Sequence, residues 1–149
     1  MANTYTQLMY HVVFSTKNRL SAIQKDRREH LYRYIWGIHD QLKCHLYRIG
    51  GVEDHVHLLV SIHPTVSVSK FVETIKTGST NWIRRESIFA NWPGWQDGYG
   101  VFTHSLADKD RLIEYIKNQE EHHRTVSWLE EFQTLLEQAG VKYDPKFIE

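Results

Sequence analysis

The octet His55-Val-His-Leu-Leu-Val-Ser-Ile62 restricts the possible folds more than any other stretch of the chain. Side chains alternate sides along a β-strand, so the octet separates into an apolar face of Val56, Leu58, Val60 and Ile62 and a mixed face of His55, His57, Leu59 and Ser61. The apolar face calls for a sheet covered by helices on that side. The two imidazoles, two residues apart, then project together from the other side, where they can grip one divalent cation. We expect that second face to be open and accessible.

The segments around the octet supply the rest of the sheet. Leu8–Ser15 is rich in β-branched and aromatic residues and reads as a first strand. From Asp26 the apolar spacing changes to threes and fours (Leu31, Tyr34, Ile35, Ile38, Leu42), which predicts a helix to about Leu42. Cys44–Ile49 returns to strand composition, and Gly50-Gly51 with Glu53-Asp54 is expected to turn the chain into the His55 strand. Ser67 or Ser69 can cap a helix reaching about Glu86, Trp92-Pro-Gly-Trp95 breaks it, and Gly98–His104 reads as a fourth strand. Ser105-Leu-Ala-Asp108 has the form of a capping box opening a helix to His122, and a last helix runs from Ser127 to Gly140. The order β-α-β-β-α-β followed by two helices predicts an α+β, ferredoxin-like antiparallel sheet with helices on one face and additional C-terminal helices.

With 149 residues and 41% hydrophobic side chains, residues 1–149 are expected to form one domain with its own core. Cys44 is the single cysteine, which excludes an internal disulfide or a multi-cysteine zinc site and suits a reducing cytoplasm. Neither a signal segment nor an apolar run of ~20 residues is visible, so no membrane span is expected. Formal net charge is zero, but residues 1–50 hold 8 Lys/Arg against 3 Asp/Glu, and residues 106–149 hold 6 against 10. The basic first third offers a surface for phosphates.

The 106–122 helix gives the histidines a chemical partner. At about 100° per residue from Leu112, Ile116 and Ile113 fall at about 40° and 100°, and Tyr115, Gln119 and His122 at about 300°, 340° and 280°. A phenol and an amide thus border the buried stripe one turn apart. Two neutral imidazoles and a Gln oxygen leave open positions on a divalent ion able to polarise a phosphoryl oxygen, and tyrosine attack would give a covalent phosphotyrosine. That ester keeps the energy of the broken phosphodiester, so resealing needs no nucleotide triphosphate, and the chain shows no Gly-x-x-x-x-Gly-Lys phosphate loop.

Five stretches, Tyr10-His-Val-Val-Phe-Ser-Thr-Lys-Asn-Arg19, Gly50-Gly-Val-Glu-Asp-His-Val-His-Leu-Leu-Val60, Val66–Lys76, Trp95-Gln-Asp-Gly-Tyr-Gly100 and Tyr115-Ile-Lys-Asn-Gln-Glu-Glu-His-His123, resemble in order the single-tyrosine HUH transposases of the insertion-sequence 200/605 type and the REP-associated tyrosine transposases. The resemblance spans a core of about residues 5–123 and leaves a C-terminal extension, about 126–149, without a counterpart. It implies that His55, His57 and Gln119 hold Mg²⁺ or Mn²⁺ and that Tyr115 is the nucleophile toward hairpin-marked single-stranded DNA. It also implies work as a homodimer in which the tyrosine helix of one subunit can complete the histidine site of the other, with no nucleotide cofactor. Imidazole ligands favour Mn²⁺ over Mg²⁺, which prefers oxygen. Lys17, Arg19, Arg48 and Lys76 are the candidate phosphate contacts.

Two other functions suit parts of the pattern. A non-catalytic nucleic-acid-binding module of the same fold would carry aromatics on the open sheet face, where this chain has histidines, Leu59 and Ser61. A hydrolase activating water at a metal would leave Tyr115 idle.

Overall fold

A computed structural model describes residues 3–147, so the last two residues expected in the C-terminal extension, 148 and 149, lie outside the described part. Four strands, β1 (Met9–Ser15), β2 (His45–Val52), β3 (His55–Ser61) and β4 (Gly100–His104), form one sheet in the order β2-β3-β1-β4. All neighbours are antiparallel. Helices α1 (Arg28–Gln41) and α2 (Val68–Glu86) connect them in the expected βαββαβ order. Three further helices follow: α3 (Lys109–Lys117), α4 (Gln119–His122) and α5 (Trp128–Gln138). The α+β, ferredoxin-like reading is what the chain adopts. Among the described residues no helix is long and apolar enough to cross a membrane.

The octet behaves as its alternation demands. Val56, Leu58 and Val60 are fully buried with Val12 and Phe14 of β1 and Leu46 of β2, beneath Leu31 and Ile35 of α1 and Phe71, Ile75 and Ile83 of α2. On the other face β1 and β3 bring Val13 opposite His57 and Ser15 opposite His55. This face is not open, contrary to the sequence expectation. Leu112 and Ile116 of α3 pack on Met9 and Leu59, while Trp128 and Leu136 of α5 pack on Val13 and Phe102, so both imidazoles are fully buried. The physical reason is the apolar stripes of α3 and α5: each has to be covered, and the residues flanking the histidines on this face are themselves apolar.

Three local expectations also change. Gly50 and Gly51 lie inside β2, and the two-residue turn is Glu53-Asp54. The glycines serve close approach instead: a Cβ at Gly50 would collide with the Ile116 carbonyl of α3. Ser105 forms no side-chain cap; the first turn after it is a 3₁₀ segment, Leu106–Asp108. The tyrosine helix is interrupted at Asn118 (φ −97°, ψ 25°), although the His122 and His123 amides still donate to Asn118 and Gln119 four residues back. Ser67 and Ser127, by contrast, do cap α2 and α5 through their hydroxyls.

Candidate metal centre and nucleophile

His55 and His57 stand at the start of β3, with their Nε2 atoms turned toward α4 and α5. Gln119, buried on α4, places Oε1 3.1 Å from His55 Nε2 and 3.0 Å from His123 Nε2. Glu131 of α5, 1% exposed at its side chain, puts Oε1 2.9 Å from His57 Nε2, 3.2 Å from His55 Nε2 and 3.1 Å from His123 Nε2. The ligand atoms of His55, His57, His123 and Glu131 all lie within 4.8 Å of one another. Such a set fits a divalent ion, whose bonds to imidazole nitrogen and carboxylate oxygen run ~2.0–2.2 Å. The four residues could hold a metal ion, and Gln119 faces the same point.

The outer contacts orient the two sheet histidines. Asp54 Oδ1 lies 2.7 Å from His55 Nδ1 and fixes a proton there, so Nε2 is the nitrogen that faces the ligand cluster. His57 Nδ1 lies 2.8 Å from His11 Nε2, and the two rings stack. When His57 Nε2 serves as a ligand, its proton belongs on Nδ1, directed at His11. Burial by itself lowers the pKa of His55, but Asp54 and Glu131 outweigh it and raise it to about 9. Burial dominates at His57 and lowers it to about 4 despite Glu131. Burial would raise the Glu131 carboxyl, yet hydrogen bonds from His123, His55 and His57 hold it well below the usual carboxylate range.

Tyr115 belongs to the same constellation. Its hydroxyl donates to Glu131 Oε2, the second oxygen of the carboxylate that meets the imidazoles, and Gln119 Nε2 donates to that oxygen at 3.0 Å. The phenol ring lies edge-on to His57, with centroids 5.7 Å apart. Burial, and then the Glu131 charge, raise the Tyr115 pKa, so the proton stays on the phenol in the protein alone. All of these groups come from one chain.

The structure therefore brings together His55, His57, Gln119 and Tyr115, and adds His123 and Glu131, which sequence reasoning missed. At the end of a helix His122-His123 suits solvent, yet at about 20° on the same wheel His123 falls between Gln119 and Ile116. Glu131 is the one acid between Trp128 and Leu135 on the buried stripe of α5. Trp128 lies over His55 at 4.6 Å and stacks on Phe132, so the extension roofs the site.

The four candidate phosphate contacts do not join this cluster. Lys17 and Arg19 are exposed in the 3₁₀ turn after β1. Arg48 is half-buried on the edge strand β2 beside an irregularity in register. Lys76 donates to the carbonyls of Gln96 (2.7 Å) and Gly98 (2.6 Å) and sits over Phe14 and Tyr99, so it clamps the 94–99 loop.

Residues 4–119 match the family model for IS200-like transposases. The chain is 26% identical over 125 residues to the transposase for insertion sequence element IS200 of Salmonella typhimurium, covering 80% of this chain and 81% of that one. It is 26% identical over 121 residues to the ISDra2 transposase TnpA of Deinococcus radiodurans, covering 76% and 84%. Its fold is similar to that of a REP-associated tyrosine transposase solved with a REP hairpin, with a TM-score of 0.62, 14% identity, and 85% and 76% of the two chains covered.

Proposed function

Because the chain belongs to the IS200-like transposase family, we propose that it is a metal-dependent single-stranded DNA endonuclease and strand transferase that works through a covalent 5′-phosphotyrosine at Tyr115. One observation carries the reading: the Tyr115 hydroxyl and the imidazoles of His55, His57 and His123 meet on the two oxygens of one buried carboxylate, Glu131. A divalent ion bound by His55, His57, His123 and Glu131, with Gln119 beside them, would polarise a phosphoryl oxygen as a Lewis acid.

The chain's own residues do the rest. The Tyr115 oxygen attacks phosphorus as its proton leaves along the hydrogen bond to Glu131 Oε2 for solvent; the new bond joins phosphorus to the phenolic oxygen, and the bond to the 3′-oxygen breaks. The departing strand takes a proton from solvent and leaves as a 3′-hydroxyl. Resealing is the reverse: a 3′-hydroxyl attacks the phosphotyrosine and Tyr115 recovers its proton. One phosphodiester replaces another, so the cycle requires no nucleotide cofactor. Until DNA enters, the bond to Glu131 keeps the phenol protonated and in place.

A relative of similar fold was solved with a hairpin, and hairpin-bearing single-stranded DNA is the substrate we assign here, handled in the cytoplasm. Mn²⁺ is the preferred ion and Mg²⁺ the weaker one, since the ligands are chiefly imidazoles. We assign a homodimer whose sites are each complete within one subunit. The test is incubation with labelled hairpin DNA and Mn²⁺, followed by denaturing electrophoresis. We expect a protein–DNA adduct that Tyr115→Phe abolishes; cleavage products that persist in this variant would replace the assignment with a hydrolase.

A further inference from the structure

Beside Tyr115 a cavity of about 580 Å³ opens between the sheet, α3 and α5. Neither the ion cluster nor the phenol fills it. We propose that it is a nucleobase subsite, seating one unstacked base of the single strand next to the phosphate that Tyr115 attacks. The proposal rests on the DNA reading above and specifies part of its substrate.

Volume and position agree with this use. Pockets of about 300–1,000 Å³ hold small ligands, and Tyr115 with Glu131 lines one end, so an occupant would abut the nucleophile. Its walls are chemically divided in the way a base is. Leu112 of α3, Leu135 of α5 and Val126 offer apolar surface for a flat ring, whereas Thr134 and Gln138 of α5 offer a hydroxyl and an amide for its edge. The Thr134 proton is engaged by the Glu130 carbonyl at 2.9 Å, which leaves that hydroxyl as an acceptor. An amide presents one donor and one acceptor side by side, the pattern that pairs with an adenine edge.

Unpaired nitrogens give an independent indication. His11 lines the cavity, is 1% exposed, and its Nδ1 has no hydrogen-bond partner among the described residues. Whichever ring nitrogen of His11 carries the proton, one buried polar atom at this wall is left over. His122, also in the lining, has its Nε2 buried without a hydrogen bond; Glu131 Oε2 is 3.3 Å away but not aligned. Both atoms are closed off from solvent, so the edge of a base would reach them once the side chains at this wall shift, and buried polar atoms normally find partners. Arg111 stands exposed at the rim with Asp108 3.5 Å away, in reach of the backbone phosphate of an entering nucleotide.

The test uses fluorescein-labelled single strands of dA, dC, dG or dT, roughly eight nucleotides long, and an abasic strand of the same length. Binding to the full chain is read by anisotropy. At least one homopolymer should bind about tenfold more tightly than the abasic strand, since one stacked and paired base contributes on that order. Thr134→Trp, placed on an exposed position so that the indole fills the cavity, should erase the difference while Mn²⁺ affinity is kept. Gln138→Ala should narrow the preference among the four bases. Equal binding of abasic and base-bearing strands, or a base preference untouched by Thr134→Trp, overturns the subsite. Adduct formation on hairpin DNA is scored separately: its presence alongside such a result leaves the transferase reading standing and removes only the subsite, and its absence removes that reading.

Discussion

Gly50→Ala tests whether the sheet sets the position of the nucleophile. Gly50 lies in β2 opposite His57, and α3 crosses it so closely that an added Cβ would fall 3.0 Å from Ile116 Cγ2, 3.2 Å from the Ile116 carbonyl carbon and far inside contact distance of the carbonyl oxygen. Ile116 is the residue after Tyr115. A tolerable carbon–oxygen contact is about 3.3–3.6 Å, so α3 must withdraw by roughly 1 Å. Forcing a methyl into a packed seam costs about 1–3 kcal/mol, which for a domain of this size lowers the melting temperature by about 2–4 °C per kcal/mol. The effect on chemistry should be larger. A misplacement of about 1 Å at a reacting atom can cost ~10²-fold in rate, so the variant should remain folded at 25 °C and form the phosphotyrosine adduct ~10²-fold more slowly. Melting is followed by circular dichroism and adduct formation by single-turnover electrophoresis. A melting point that falls while the adduct rate stays at the wild-type value would refute the idea that this glycine seats Tyr115.

Further outcomes follow from the buried cluster. His11→Phe removes the partner of His57 Nδ1 and should weaken Mn²⁺ binding by about 10–100-fold in calorimetry, with His11→Gln recovering part of the loss; unchanged affinity in the Phe variant would show that the stacked pair does not orient the ligand. At pH 7 His55, with its pKa raised to about 9, carries a proton that an ion has to displace, whereas His57, lowered to about 4, does not. Mn²⁺ binding should therefore release about one proton from His55, seen as a buffer-dependent heat, and weaken as pH falls. For the metal-free protein the signs are opposed: the His55 contribution to stability is present below its unfolded value near 6.5 and is lost as pH rises through about 9, and that of His57 is lost as pH falls from about 6.5 through 4. Denaturant titrations of His55→Asn and His57→Asn against wild type across that range separate the two. Mixing Tyr115→Phe protein with His57→Ala protein should give no adduct under the proposed arrangement, in which each site is complete within one chain; recovery of activity would place the tyrosine of one subunit in the other's site.

Legibility in the sequence depended on how far each signal reached along the chain. Strand alternation at His55–Ile62 is a two-residue signal, and it placed the imidazoles and the opposing Val56-Leu58-Val60 face before any tertiary information. The helical wheel brings Tyr115 and Gln119 to one edge and also holds the position of His123, which the sequence leaves ambiguous because helix-terminal imidazoles suit solvent as well as a site. Glu131 was different in kind. Glu130 beside it is an exposed acid like any other, and the partner of Glu131, His57, is 74 residues away, so only packing could disclose what an acid does on that stripe. The open sheet face failed for the same reason, since nothing local tells a helix that follows a ferredoxin-like core which side it will cover. Lys76 shows the limit for cations: a lysine that clamps two carbonyls looks, in sequence, like one that meets phosphate.

The roof that α5 lays over His55 turns occupancy into a question of time as well as affinity. With Trp128 over one imidazole and Phe132 stacked on Trp128, an ion seated beneath them would have no exit on that side unless the helix lifts, so a chelator would strip the site at the rate of a local opening. Hydrogen exchange along residues 128–138 and the kinetics of metal release should then share one rate constant, making the inorganic chemistry of this protein a clock for the breathing of its last helix.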